Sequence, residues 1–281
     1  MIAEFIYCTL LRPRPLRRFA NWLIRALLPR IVRYDDAVIV LNPRDPVVSG
    51  ALFFRVYERG ELAFFRDTCK PGMTFLDVGA NIGFYTALAC KRIGPSGKII
   101  ALEPDPESHG FLKETIAANN ATNVTAMPIA AAATRGRLKL FVSSDNRGDN
   151  RLYQPDASTA ADWQAVEVET APVDELLERL GVERVDFIKI DVQGAEGGVI
   201  AGLEQTIRRS PSLVLMTEFW PHGLRQAGTN PKAFLEELRN LGLELSELTA
   251  GGQLLPLTDF DALIARHPGR RYTNIIGRKK A

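Results

Sequence analysis

The chain has 281 residues, 46% of them hydrophobic and 24% charged, the balance of a globular protein long enough for one large domain with an extension. Its net charge of +2 is too small to argue for a nucleic-acid partner, and no apolar run approaches the ~20 residues that span a bilayer. Three scattered cysteines, Cys8, Cys69 and Cys90, show neither C-x-x-C spacing nor a Cys/His cluster, which suggests a reducing compartment without disulfide framework or structural zinc and offers no clear metal-ligand set.

From Arg12 to Arg33 there are seven arginines and no acid. Leu16, Phe19, Ala20, Leu23, Ile24, Leu27 and Ile31 recur at helical spacing, with Arg18, Asn21 and Arg25 on the other side and Trp22 near the edge. Two arrangements make this pattern: a helix lying on an anionic membrane surface, or one packing its apolar face on the main domain. It is not a signal peptide, because no long apolar core or small-residue cleavage site follows the arginines. Val38–Leu41 reads as a strand, Pro43–Pro46 as a turn-rich link, and Ala51–Phe65 as a helix carrying Tyr57, Glu58 and Glu61 near its end. Pro71-Gly72 closes this lead-in, so residues 1–70 read as an extension and residues 71–281 as the main domain.

Beyond Met73, strands and helices alternate. Strands are expected at Thr74–Val78, Ile99–Leu102, Val124–Ile129, Val185–Ile190 and Leu213–Phe219. Helices are expected at Phe84–Arg92, Pro106–Asn119, Val173–Leu180, Ala195–Arg208 and Pro231–Leu241. A polar excursion holds two more strands, Leu138–Val142 and Ala165–Thr170, and Leu243–Leu248 and Tyr272–Ile276 close the chain. Such alternation builds an α/β fold: a mostly parallel sheet with helices on both faces and ligands at the carboxyl ends of the strands. Asp77, Glu103, Ala130, Asp191 and Glu218 all fall at or just past those ends.

The run Phe75-Leu76-Asp77-Val78-Gly79-Ala80-Asn81-Ile82-Gly83-Phe84 takes an apolar strand through a glycine turn into a helix. Such a turn lets a ligand approach bare backbone and unpaired N–H groups. Glu103 follows 26 residues after Asp77, at the tip of the second strand, where an acid can grip two ribose hydroxyls. The turn lacks the third glycine of a dinucleotide fingerprint, and Asp77 would repel a pyrophosphate. S-adenosylmethionine, with adenosine, a sulfonium and a zwitterionic tail, tolerates that acid; a glycine turn serving only strand–helix packing is the plainer alternative.

The second run, Asp186-Phe187-Ile188-Lys189-Ile190-Asp191-Val192-Gln193-Gly194-Ala195-Glu196, ends a buried strand in an acid. Asp191 is expected to face the cofactor's reactive end across the sheet from Asp77, where it could orient a substrate hydroxyl, accept its proton or ligate a metal. Glu196 either serves the substrate or only caps its helix.

These residues resemble the FkbM family of S-adenosylmethionine-dependent methyltransferases. The likeness runs from about Val47 to Ile276. It rests on D-V-G-A-N-x-G at Asp77–Gly83 and K-I-D-V-x-G-A-E at Lys189–Glu196, about 110 residues apart, with Leu41-Asn42-Pro43-Arg44-Asp45-Pro46, Glu103-Pro104, Asn119, Asn123 to Ala130, and Glu218. The family often has Glu where Gln193 stands, so no acid role is carried over there. The resemblance implies a Rossmann-like seven-stranded methyltransferase fold and methylation of a hydroxyl on a sugar, glycan or natural product. For the cofactor, Asp77, Gly79, Ala80, Asn81 and Gly83 would line the amino-acid moiety and ribose. Glu103 would hold the ribose, Pro104 and Asp105 would flank the adenine, Ala130 would leave room for it, and Asp191 would close the reactive end.

The transfer is an in-line displacement by a substrate oxygen, so a general base is needed. Asp191 is the first candidate and His222 the second, with Glu196 and Glu218 behind them. His109 and His267 read as surface residues. Arg147 and Arg151, in the polar loop Ser143–Arg151, would contact an acidic or phosphate-bearing acceptor, or sit in a solvated loop. Three rivals stand open: an amine or nucleic-acid acceptor, a non-catalytic cofactor-binding protein of the same fold, and a dehydrogenase. The expected setting is cytoplasmic, with peripheral membrane contact open to the basic N-terminal helix.

Overall fold

A computed structural model describes residue 21 and residues 23–144, 146–154 and 163–279. The expectations on Arg12–Ala20 and on Trp22 lie outside the described residues. Residues 23–27 are helical, with Ile24 buried and Leu23 and Leu27 exposed. Ile31, expected on the same helical face, instead starts a strand. β1 (Ile31–Tyr34) pairs antiparallel with β2 (Ala37–Val40) across a two-residue turn in which Asp35 takes φ 49°.

The helix expected over Ala51–Phe65 is two helices. α1 (Pro46–Phe53) starts earlier because the Asp45 carboxylate accepts the Val47 and Val48 N–H groups and Pro46 suits the first turn. α2 (Arg59–Thr68) follows a reversal in which Arg55 and Glu58 take left-handed φ of 57° and 40°.

The core runs β3 (Thr74–Val78), α3 (Phe84–Ile93), β4 (Lys98–Leu102), α4 (Pro106–Ala118), β5 (Val124–Met127), β6 (Ile129–Ala131), β7 (Gly136–Ser143), β8 (Trp163–Ala171), α5 (Val173–Arg179), β9 (Phe187–Ile190), α6 (Glu196–Ala201), α7 (Glu204–Arg209), β10 (Val214–Phe219), α8 (Pro221–Gln226), α9 (Pro231–Asn240), β11 (Leu243–Leu248), β12 (Leu254–Pro256), α10 (Phe260–Arg266) and β13 (Thr273–Lys279). The main sheet has the order β12-β11-β13-β10-β9-β3-β4-β5, with β13 antiparallel to β10 and β11 and the β10-to-β5 block parallel. Seven of the expected strands are in it, the two of the polar excursion pair in a separate sheet, and the short β12 adds an edge. This is the Rossmann-like methyltransferase fold.

Alternating side chains feed two cores. Leu76, Ile188, Leu215 and Ile275 point to one face, under α5, α7, α8 and α9. Phe75, Phe187, Met216 and Ile276 point to the other, where β1, β2, α1, α2 and α3 cover them. Residues 31–68 therefore share a core with the main sheet.

Two expected elements are corrected. Val124–Ile129 is not one strand: β5 stays in the main sheet, while β6, past Pro128, leaves it for a three-stranded sheet with β8 and β7. Ala195–Arg208 is not one helix. It breaks at Gly202, where any Cβ would come within 2.2 Å of the Ala132 carbonyl oxygen, so the chain there is set by backbone contact. α8 and α10 are further elements that the sequence reading left as connections. Among the described residues, no helix is long and apolar enough to cross a membrane.

Candidate active site

The parallel register puts Val78, Leu102, Ile190 and Thr217 in one row across β3, β4, β9 and β10. The next residues along those strands are Gly79, Glu103, Asp191 and Glu218, so four separate strand ends deliver the expected residues to one edge. β9 lies directly beside β3, with Lys189 opposite Asp77 and Asp191 two positions further along, beside Gly79.

A cleft of about 840 Å³ opens at this edge. Asp77, Gly79, Ala80, Asn81, Glu103, Pro104, Ala130 and Asp191 line it; Gly83 and Asp105 stand just behind. Gly79 has φ 81°, and an added Cβ would lie 2.0 Å from the Asp191 carbonyl oxygen. Gly83 has φ 87°, and an added Cβ would lie 2.7 Å from Leu112 Cδ1, which brings α3 onto α4. Both positions need glycine for conformation and for closeness. Glu103 Oε2 accepts the Asn81 N–H at 2.7 Å, and its Oε1 accepts the Asp105 N–H at 2.8 Å. Burial pushes the Glu103 carboxyl up to about 8 against those two bonds. Asp105 caps α4, accepting from Glu107 N–H, Ser108 N–H and Ser108 Oγ.

Asp77 Oδ2 accepts from Thr86 Oγ at 2.7 Å. Its Oδ1 is buried and has no hydrogen-bond partner, and the same holds for Asn81 Oδ1. Unmet buried acceptors are costly, and both residues line the cleft. A ligand with ammonium and hydroxyl donors would satisfy them. These acceptors therefore fit an amino-acid tail and a ribose, and a pyrophosphate would be repelled by Asp77 and Glu103 here.

A second, smaller cleft of about 260 Å³ shares Lys189 and Asp191 with the first, and Glu58, Glu61, Glu218, Tyr272 and Asn274 border it. Lys189 is buried in the middle of β9. Its Nζ donates to Asp191 Oδ2 at 3.2 Å and sits 4.8 Å from the Tyr85 ring centroid. Desolvation opposes its charge, but Asp191, Glu58 and Asp77 together hold its value above the usual lysine range. Gln193 Nε2 bridges Asp191 Oδ1 at 2.8 Å and Glu218 Oε2 at 3.2 Å, so the amide at this position takes donor bonds an acid could not make. Burial and the charge of Asp191 raise Glu218 well above the usual carboxyl range. Burial also raises Glu58 to about 7; its Oε2 accepts from the Tyr85 hydroxyl at 2.7 Å.

Of the remaining candidates, Arg147 lines the larger cleft, while Glu196, His222 and Arg151 line neither. Glu196 Oε1 accepts the Val192 and Gly194 N–H groups at 3.2 and 3.1 Å, so that oxygen ties the turn after β9, and burial raises the carboxyl to about 7. His222 sits on α8 with its ring 5.6 Å from Trp220, outside both clefts. Arg147 pairs with Asp105 and Glu107. Arg151 pairs with Asp149 at 2.6 Å and lies over the Trp220 ring at 4.9 Å. Both guanidiniums are thus engaged within the protein.

Sequence reading missed Tyr57, Glu58 and Tyr85 as site residues and gave Lys189 no role. Lys189 carried a signal, a cation inside the apolar run Phe187–Ile190, which needs buried acids around it. Tyr57 and Glu58 carried none, since only the α1–α2 reversal brings them to the sheet edge. Among the described residues, no group of His, Cys, Asp and Glu forms a metal cage.

The family model described as "Methyltransferase FkbM domain" matches residues 77–245, three fifths of the chain. Among curated relatives, methyltransferase sdnD of Sordaria araneosa is 29% identical over 182 residues, covering 55% of this chain and 70% of that protein. The 2-O-methyltransferase NoeI of Sinorhizobium fredii is 26% identical over 186 residues, covering 62% and 74%. Among solved structures, an FkbM methyltransferase from Methylobacillus flagellatus aligns with 93% of this chain at 13% identity and a TM-score of 0.45, and this chain spans 59% of that one.

Proposed function

Because this chain belongs to the FkbM family of S-adenosylmethionine-dependent methyltransferases, we propose that it methylates a hydroxyl oxygen of a sugar, glycan or natural-product acceptor. The observation that carries this reading is the small cleft, which meets the cofactor cleft at Lys189 and Asp191. The name of one relative, the 2-O-methyltransferase NoeI, supports an oxygen acceptor.

Asp77, Asn81 and the bare backbone at Gly79 would hold the cofactor's tail, and Glu103 its ribose. Bound S-adenosylmethionine supplies an electrophilic methyl group. Methyl transfer to the acceptor oxygen would leave the hydroxyl proton to be taken up by a base. Asp191 stands at the joint of the clefts and is the base in this reading. Gln193 and Lys189 fix both of its oxygens. Glu218, its carboxyl raised by burial and the charge of Asp191, borders the small cleft and would hydrogen-bond the acceptor.

An amine acceptor is a second reading, favoured by the four carboxylates around the small cleft, Glu58, Glu61, Asp191 and Glu218. A cytoplasmic setting, with peripheral membrane contact through the basic N-terminal segment, is consistent with exposed Leu23 and Leu27.

Calorimetric titration with S-adenosylmethionine, S-adenosylhomocysteine and NAD should give micromolar binding of the first two and none of the third. Methyl-labelled cofactor with a panel of neutral sugars and amino sugars then separates oxygen from nitrogen transfer. Asp191→Asn should cut turnover by ~10²–10⁴-fold with cofactor affinity within about threefold; an unchanged rate would remove Asp191 as the base.

A further inference from the structure

The Leu41–Pro46 stretch is singled out in the sequence, yet the chemistry above does not use it. In the structure it meets the β7–β8 crossover. We propose that Arg147 is a positioning residue that ties residues 146–152 to this stretch and to the start of α4, so that the tied segment forms the outer wall of the cofactor cleft.

Arg147 makes three separate attachments. Its Nη1 donates to Asp105 Oδ2 at 2.6 Å, its Nη2 to Glu107 Oε2 at 2.8 Å, and its backbone N–H to Asp45 Oδ2 at 3.2 Å. Asp45 and Asp105 are the caps of α1 and α4, so one residue joins two helix N-termini through the carboxylates that already cap them. Glu107 is itself held: Asn42 Nδ2 donates to its Oε1 at 2.9 Å and Arg44 Nη1 to its Oε2 at 3.2 Å. The asparagine, arginine and aspartate of the stretch thereby all serve the same junction.

The wall is built to fit. Gly148 packs so closely on α1 that an added Cβ would lie 2.8 Å from Val48 Cγ2. At the far end of the segment, Phe141 and Arg151 exchange backbone hydrogen bonds of 2.8 and 3.0 Å. Around these anchors, Arg147, Gly148, Asn150 and Leu152 line the cleft together with Asn81 and Glu103. The junction also reaches the ribose-side acid directly, because the Asp105 that pairs with Arg147 donates its N–H to Glu103. The Arg147 side chain is only 16% exposed, and a partly buried guanidinium bonded to two carboxylates loses far more on truncation than a surface one.

This inference rests on the cofactor occupying the larger cleft. The test is stopped-flow dissociation and calorimetry of S-adenosylmethionine and S-adenosylhomocysteine with full-length wild type, Arg147→Ala, Arg147→Lys, Glu107→Gln and Glu103→Gln. Arg147→Ala should speed dissociation of both ligands at least tenfold. Arg147→Lys, which keeps one arm, should recover part of that loss. The effect of Glu107→Gln should shrink in the Arg147→Ala background, since both remove one contact. The melting temperature without ligand reports fold damage. If Arg147→Ala does not fold, Arg147→Lys and Glu107→Gln carry the comparison. Dissociation within twofold of wild type in the folded Arg147 variants, with Glu103→Gln weakened, would overturn the wall and leave the cleft assignment standing. No binding to wild type would overturn both.

Discussion

Glu103 receives two backbone N–H groups and lies almost fully buried, yet it sits where a ribose would need an acceptor. A carboxylate has about four lone-pair sites, so two remain for a ligand. Glu103→Gln keeps the shape but loses acceptor capacity, and it should weaken S-adenosylmethionine by ~1.5–3 kcal/mol, the worth of one charge-assisted bond. Equal affinity by calorimetry would assign Glu103 to the turn alone. Gly79→Ala tests the neighbouring backbone. At φ 81° and 2.0 Å from a carbonyl oxygen, the methyl has no place to go. We expect loss of cofactor binding and a melting temperature lower by about 5 °C or more, the shift of ~2 kcal/mol in a chain of this size. These residues were legible in the sequence because the turn is local: strand, Asp, glycines and helix follow within ten positions. Glu58 was not, because its place beside Lys189 depends on a left-handed reversal far from either motif.

At the scale of elements, hydrophobic periodicity found the core strands and most helices, and it erred where backbone contact overrides it. The β5–β6 division follows from Pro128, and the break between α6 and α7 from the Ala132 carbonyl against Gly202. Pro128 stands in the sequence and marks the first break, whereas the Ala132 contact is not visible in a local window. The turn from β9 into α6 shows a further consequence. Glu196 Oε1 takes two backbone N–H groups, while its Oε2 is buried without a partner. Burial raises this carboxyl from 4.5 to about 7. The folded chain therefore keeps a proton that the unfolded chain releases, and this group costs stability as pH rises from about 4.5 to about 7, with the cost constant above that. Glutamine keeps the accepting oxygen and never ionises. Glu196→Gln should thus gain stability relative to wild type between pH 5 and pH 8 in thermal melts. A difference that does not change with pH would mean Glu196 is already ionised throughout.

Over the whole molecule, the sheet edge gathers acids faster than cations. Burial raises Glu103 to about 8 and Asp45, Glu58 and Glu196 to about 7, and burial with the charge of Asp191 raises Glu218 too, with Lys189 as the buried cation among those around the two clefts. Each of these carboxyls binds its proton more tightly folded than unfolded, so the ligand-free protein should lose stability from about pH 4.5 to about pH 8. His109, which burial lowers from 6.5, pulls the other way only at the acid end. A cation in the cofactor cleft reverses the preference, because it favours the ionised carboxylates it faces. S-adenosylmethionine should therefore bind more tightly at pH 7.5 than at pH 6 and release protons as it binds. S-adenosylhomocysteine has a neutral sulfur in place of the sulfonium, so it should release fewer. Calorimetry in two buffers of different ionisation enthalpy counts those protons directly. Equal release by the two ligands would place the sulfonium away from the carboxylates around Lys189, and with it the reactive end of the cofactor away from Asp191.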